Sequence, residues 1–236
     1  MEIIKQAIAA RRSQNNEGEA SFFEWLDFSP QRIKKEDVFV ISFSEEPDLL
    51  SQWRGYTPKN CGYSIGFDSP TLEDIGWEID RMTLVKCVYT ESAKAELIDD
   101  LLNSYLSHWR EASRIIETGE EWNTPSIADS FAVRVAFAAS AMKDETFSEE
   151  REWRLVGANP KRRPLNFRDG SSFLIPYVKF HWGGPKAVPP CQPIVAITVG
   201  PGPNQDLALK AVKMLLNANQ IQEIEPTRSE IPYRTW

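Results

Sequence analysis

Val38-Phe39-Val40-Ile41-Ser42-Phe43 and Cys61-Gly62-Tyr63-Ser64-Ile65-Gly66-Phe67 are the two runs whose reading decides the fold. Both are short, rich in β-branched or aromatic residues and bounded by turn-forming sequence, so each predicts a strand. The first is apolar on both faces, which predicts an interior position. The second carries Gly62 and Gly66, which predict close approach of another backbone or of a ligand. Between them lies one helix-patterned piece: Pro47 suits an early helical position, and Leu49, Leu50 and Trp53 follow at helical spacing. Gly55 is expected to stop it.

Working outward, Thr83–Tyr89, Trp153–Val156, Phe173–Phe180 and Ile194–Val199 predict further strands. Ile194–Val199 reads as buried, and Pro176 confines its strand to an edge or a bulge. Helices are predicted over 2–12, with Ile3, Ile4, Ala7 and Ile8 on one stripe, and over 21–28 around Phe22, Phe23, Trp25 and Leu26. A long helix runs from Ser92 as its cap to about Glu117, with Ile98, Leu102, Tyr105, Trp109 and Ala112 along one face. Thr124-Pro125 starts another to about Met142, and Asn204 caps a last one to about Asn217. Ser13–Glu19 and His181–Pro193 predict loops, Asn159–Asp169 a loop or hairpin, and Gly200–Pro203 a turn. Ile224 and Ile231–Arg234 predict a final extended segment. Strands outnumber simple βαβ units, and the first two are near neighbours. The expected fold is therefore α+β, with a mixed, largely antiparallel sheet core and several packed helices. Residues 1–30 read as an N-terminal helical segment, and 31–236 as a single α+β domain with a helical insertion at about 92–142.

The bulk properties narrow the function classes. The 236 residues are 42% hydrophobic and carry a net charge of -7, which argues against extended nucleic-acid binding because such a surface must be basic to neutralise phosphates. A nucleotide pocket needs only a few local arginines, so that class stays open. No apolar run is long enough to span a membrane, and Met1–Gln6 has no signal-peptide core, which together predict a cytoplasmic protein without membrane contact. Cys61, Cys87 and Cys191 are widely spaced and odd in number, so they read as reduced thiols rather than a disulfide frame or zinc site; with only His108 and His181 available, no histidine-rich transition-metal site is expected.

Chemistry concentrates in Lys143-Asp-Glu-Thr-Phe-Ser-Glu-Glu150-Arg-Glu152-Trp-Arg154. If Glu150–Val156 is extended, Glu150, Glu152 and Arg154 share one face. Two carboxylates beside a guanidinium can hold a ribose diol and grip a phosphate. The same pattern also describes cross-strand ion pairs on a solvated face. A second cluster is Ser42, Ser44, Trp53, Arg54 and Tyr56, where a strand end leads into a helix; Trp53 and Tyr56 read equally as core residues. Gly200-Pro-Gly-Pro-Asn204 lacks phosphate-loop spacing and reads as a rigid turn.

At these residues the sequence resembles the bacterial domain of unknown function family 2971. The resemblance rests on Ile41-Ser-Phe-Ser44, Trp53-Arg-Gly-Tyr56 and Gly62–Phe67; on Lys143, Phe147 and the Glu150-x-Glu152-Trp153-Arg154 block; and on the late strand and turn from Ile197 to Gly200. A serine-bearing strand together with a Glu-x-Glu strand start is similar to the ADP-ribosyltransferase layout. That likeness implies an NAD-using transferase or hydrolase, a stress or phage-defence effector, with NAD as substrate and Glu152 as the carboxylate that stabilises an oxocarbenium-like transition state. Glu150 would orient the acceptor, and Ser42 or Ser44 would support the ribose. Trp53 or Tyr56 would stack on nicotinamide, and Arg54 or Arg154 would hold the diphosphate. Two rival classes use the same residues: a non-catalytic module binding a nucleotide, another small molecule or a protein partner, and a magnesium-dependent nuclease built on Asp144, Glu150 and Glu152.

Overall fold

The structure, a computed structural model, describes residues 2–14, 17–27, 37–58, 62–77, 82–117, 124–158, 164–180 and 193–232. Cys61, His181, Cys191 and the loops expected at 159–163 and 181–192 lie outside them, as do Tyr233 and Arg234. The fold is α+β. The chain divides into two compact units, one comprising residues 1–41, 85–148 and 154–178, the other 42–84, 149–153 and 179–236.

The first unit is helical at its core. Helices α1 (Glu2–Gln14), α2 (Glu17–Asp27), α5 (Glu91–Glu117) and α6 (Thr124–Ala141) each supply apolar side chains at helical spacing. Ile4 and Ile8, Phe22, Phe23 and Leu26, Ile98, Leu102 and Leu106, and Phe131 and Val135 close on one another. Phe22 meets Phe23 edge-on at 5.1 Å between centroids, and Phe131 meets Tyr105 at 5.0 Å. Each such fully buried side chain contributes about 1.5–3 kcal/mol relative to exposure. The loop expected over Ser13–Glu19 is shorter than the sequence implied, because α1 extends to Gln14 and α2 begins at Glu17. Helix α5 is capped two residues earlier than expected: the Ala93 amide donates to Thr90 Oγ1 at 3.2 Å, and Ser92 Oγ lies against that same hydroxyl. The unit also carries a hairpin of β5 (Asn166–Asp169) and β6 (Leu174–Tyr177), in which Pro176 opposes Phe167. In a two-stranded ribbon both strands are edges, which is where a residue without an amide proton is tolerated.

The second unit holds β2 (Tyr63–Phe67), α3 (Leu50–Tyr56), α4 (Ser69–Ile75), β7 (Ile194–Val199), α7 (Gln205–Ala218) and β8 (Thr227–Arg228). Strand β7 is central, antiparallel to β2 with Ile65 opposite Ile197, and parallel to β8 with Thr198 opposite Thr227. Val199, Val212, Leu216 and Ile224 form its core beneath α7. Helix α3 starts three residues later than Pro47 suggested and runs through Gly55. Gly66 confirms the expected close approach: a Cβ there would stand 3.0 Å from that of Ala196 across the ladder. Gly200 is tighter, since its Cβ would lie 2.8 Å from the Trp53 ring and 3.2 Å from the Gly62 carbonyl. Gly200→Ala is expected to destabilise by about 1–3 kcal/mol through overpacking, read as a lower urea midpoint at unchanged slope.

A third sheet has the order β1 (Val38–Ser44), β4 (Glu152–Ala158), β3 (Thr83–Lys86). Strand β1 is thus an edge strand with Val40 exposed, not the interior strand its sequence suggests. Likewise β7, expected to be buried, leaves Val195 55% exposed. No helix among the described residues is long and apolar enough to cross a membrane.

Candidate functional site

The block Glu150–Arg154 spans a change of backbone. A short 3-10 helix, Glu145–Glu150, precedes it, and β4 begins only at Glu152. Arg151 between them has φ 42°, in the left-handed region that a residue with a Cβ adopts at a cost. The extended face expected to carry Glu150, Glu152 and Arg154 together therefore begins at Glu152. Both carboxylates are nonetheless buried, Glu150 at 8% and Glu152 at 4% exposure, while Arg151 is exposed.

The turn after β1 grips this block. Ser44 Oγ donates to the Glu150 carbonyl at 2.7 Å and accepts from the Glu46 amide at 3.1 Å. The Glu45 amide donates to the Arg151 carbonyl at 3.3 Å. Arg151 Nη1 pairs with Glu46 Oε1 at 2.5 Å, and Trp153 Nε1 donates to Glu45 Oε1 at 2.7 Å. Of the expected site residues, the fold thus brings Ser44 to Glu150. Its hydroxyl holds backbone, so it serves architecture before any ribose. Ser42 is exposed on β1.

Trp53 is also architectural. It is buried at 8% exposure, its ring lies against Gly200, and its indole Nε1 donates to Asp48 Oδ1 at 2.6 Å. Tyr56, by contrast, is 71% exposed at the end of α3, and Arg54 is exposed beside it. Arg154 falls in the first unit, where its guanidinium donates to the Ser140 carbonyl. Lys143 Nζ sits 5.1 Å from the centroid of the Phe147 ring, a cation–π contact in that same unit.

Asp48 escaped the sequence reading. Its carboxylate accepts from Trp53 Nε1, from Ser229 Oγ at 2.6 Å and from the Glu230 amide at 2.9 Å. Burial pushes its pKa up, but the hydrogen bonds from Ser229, Trp53 and Glu230 together outweigh that and hold it below 3.8. Gln205 escaped as well. Its amide nitrogen lies within 3.3 Å of the Val199, Gly200 and Ser229 carbonyls, closing the turn before α7. The only signal for Asp48 was a carboxylate directly after Pro47, which is ordinary turn chemistry; its partner Ser229 is remote in the chain.

Asp144 spends its carboxylate locally. Its pKa is lowered by hydrogen bonds from the Thr146 hydroxyl and amide, with Lys94 adding a smaller favourable charge. Among the described residues no group of three or more His, Cys, Asp or Glu side chains is placed to hold a metal ion.

A family described as Protein of unknown function (DUF2971) matches residues 52–155, which takes in Trp53–Tyr56, Gly62–Phe67 and the whole Glu150–Arg154 block. No curated protein and no solved structure matches the chain.

Proposed function

We propose that this chain, whose residues 52–155 match the DUF2971 family model, is an NAD-using enzyme of ADP-ribosyl-transfer type acting through Glu152. The observation that carries the reading is the pair of buried carboxylates, Glu150 and Glu152, on either side of a strained left-handed residue. Strain held at a non-glycine position is most often retained where function requires it. In the proposed reaction the bond between the nicotinamide nitrogen and ribose C1′ breaks, and its electron pair leaves with nicotinamide. Glu152 accepts the hydrogen of a ribose hydroxyl and stabilises the positive charge that develops on the sugar ring. An acceptor, or water, oriented by Glu150, then adds at C1′ and releases its proton to bulk water. Tyr56 is the exposed aromatic left to stack on nicotinamide, because the indole of Trp53 is committed to Asp48. Ser42 takes the ribose-supporting role, because Ser44 holds backbone, and Arg54 offers its guanidinium to the diphosphate.

The same commitments of Ser44 and Trp53 favour a second reading, a nucleotide-binding module without turnover. One experiment separates the two. The purified protein is melted against NAD, ADP-ribose, ATP, AMP and magnesium, and nicotinamide release is followed in the NAD sample. The enzyme reading expects NAD to raise the Tm and to be consumed; a ligand at a hundred times its Kd stabilises by about 2.7 kcal/mol. Stabilisation with no nicotinamide released selects the module, and no response to any nucleotide refutes both.

A further inference from the structure

The two peptide planes flanking Arg151 are each pinned by the turn after β1. The Glu150 carbonyl lies in the plane that swings as the φ of Arg151 changes, and Ser44 Oγ holds that carbonyl. The Arg151 carbonyl lies in the following plane, and the Glu45 amide holds it. With both planes fixed, the left-handed conformation of Arg151 is fixed too. Glu150 and Glu152 are the residues on the outer sides of those planes, so the lock sets how their Cα atoms stand relative to each other, and both side chains are buried.

We infer that Ser44 is a positioning residue, which sets the Glu150 and Glu152 carboxylates by locking Arg151 in the left-handed region through the Glu150 carbonyl. The inference rests on the reading of Glu152 given above for its role in turnover, but the lock itself is independent of it. Simple support of the turn is the rival role for Ser44, because its hydroxyl also accepts from the Glu46 amide. The two roles differ in what rescues the loss of the hydroxyl. Glycine adopts a positive φ without the Cβ penalty, so Arg151→Gly restores the locked conformation when Ser44 no longer holds it. A turn lacking its serine gains nothing from a glycine at 151.

The experiment compares Ser44→Ala, Ser44→Thr and the double variant Ser44→Ala/Arg151→Gly in the full chain, by amide hydrogen exchange over residues 150–153 and by nicotinamide release. Ser44→Ala is expected to speed exchange there by about tenfold and to lower kcat by a similar factor with KM unchanged. Ser44→Thr keeps a hydroxyl and should behave as the wild type, and the double variant should recover most of both losses. Unchanged exchange in Ser44→Ala, or a loss that Arg151→Gly does not reverse, overturns the positioning role. Absence of nicotinamide release from the wild type overturns the enzyme reading alone, and exchange still decides the lock.

Discussion

Glu152→Gln is expected to lower nicotinamide release from NAD by about a hundred- to a thousandfold while leaving the Tm within a few degrees of wild type. The factor is that of removing one preorganised group aimed at developing charge. Glutamine keeps the shape of a side chain that is 4% exposed, so the cavity and overpacking costs of a larger change are avoided. What it removes is the negative charge that, in the proposed reaction, stabilises the positive charge building on the sugar. The loss should therefore fall on kcat, with the NAD-induced rise in Tm retained. A variant that turns over at the wild-type rate would remove Glu152 from the chemistry and leave the binding module standing. Loss of folding instead of activity would make the buried carboxylate architectural.

Asp48→Ala is expected to destabilise the second unit by about 3 kcal/mol. It deletes the acceptor for three donors, two of them on side chains that are buried, Trp53 and Ser229. A hydrogen bond to a charged group contributes about 1.5–3 kcal/mol, and the three are not additive because they share one carboxylate. Asp48→Asn should lose less, since one oxygen still accepts. A urea titration followed by tryptophan emission reads both, and equal midpoints for wild type and alanine variant would contradict the account. The pH dependence follows from the same contacts. The folded pKa of Asp48 is depressed below 3.8, so its contribution is fully present above that value and is lost as pH falls through the folded pKa. Wild type should thus weaken below about pH 4 in a way that Asp48→Ala does not.

The helices of the first unit were legible because their information is local, whereas α4 (Ser69–Ile75) was not read. Ile4 and Ile8, Phe22, Phe23 and Leu26, and Ile98 and Leu102 recur at the spacing that puts them on one stripe, and they are the residues that meet in the first unit's core. Most strands were legible for the same reason, although β8 (Thr227–Arg228) falls between the extended segments expected at Ile224 and at Ile231–Arg234. Strand environment was not: Val38–Phe43 and Ile194–Val199 are predominantly apolar, yet β1 is an edge and β7 leaves Val195 in solvent. A continuous apolar run signals burial on both faces only where two layers cover the sheet, and these sheets are small.

Within the candidate site, sequence picked out the Glu-x-Glu-Trp-Arg block by residue type, but a shared face for Glu150, Glu152 and Arg154 required Glu150 to be extended. The chain instead ends a 3-10 helix there and turns through Arg151 before β4 begins. Nothing in the string of residues marks Arg151 as left-handed, because glycine or asparagine would be the usual signal. Equally, Trp53 and Tyr56 looked alike as aromatic candidates, and only their surroundings separate a buried indole bonded to Asp48 from an exposed phenol.

The sequence by itself determined the α+β class, the helices of the first unit, the strand segments and the identity of the carboxylate-rich block, since all of these depend on periodicity and composition. Tertiary structure alone decided that Ser44 holds the Glu150 carbonyl, that Asp48 gathers Trp53 and Ser229, and that Glu150 and Glu152 are buried on either side of a left-handed arginine. Two of those facts join residues far apart in the chain, Ser44 to Glu150 and Asp48 to Ser229, and a hydrogen bond between distant segments exists only after folding has brought donor and acceptor to within about 3 Å, the reach of such a bond.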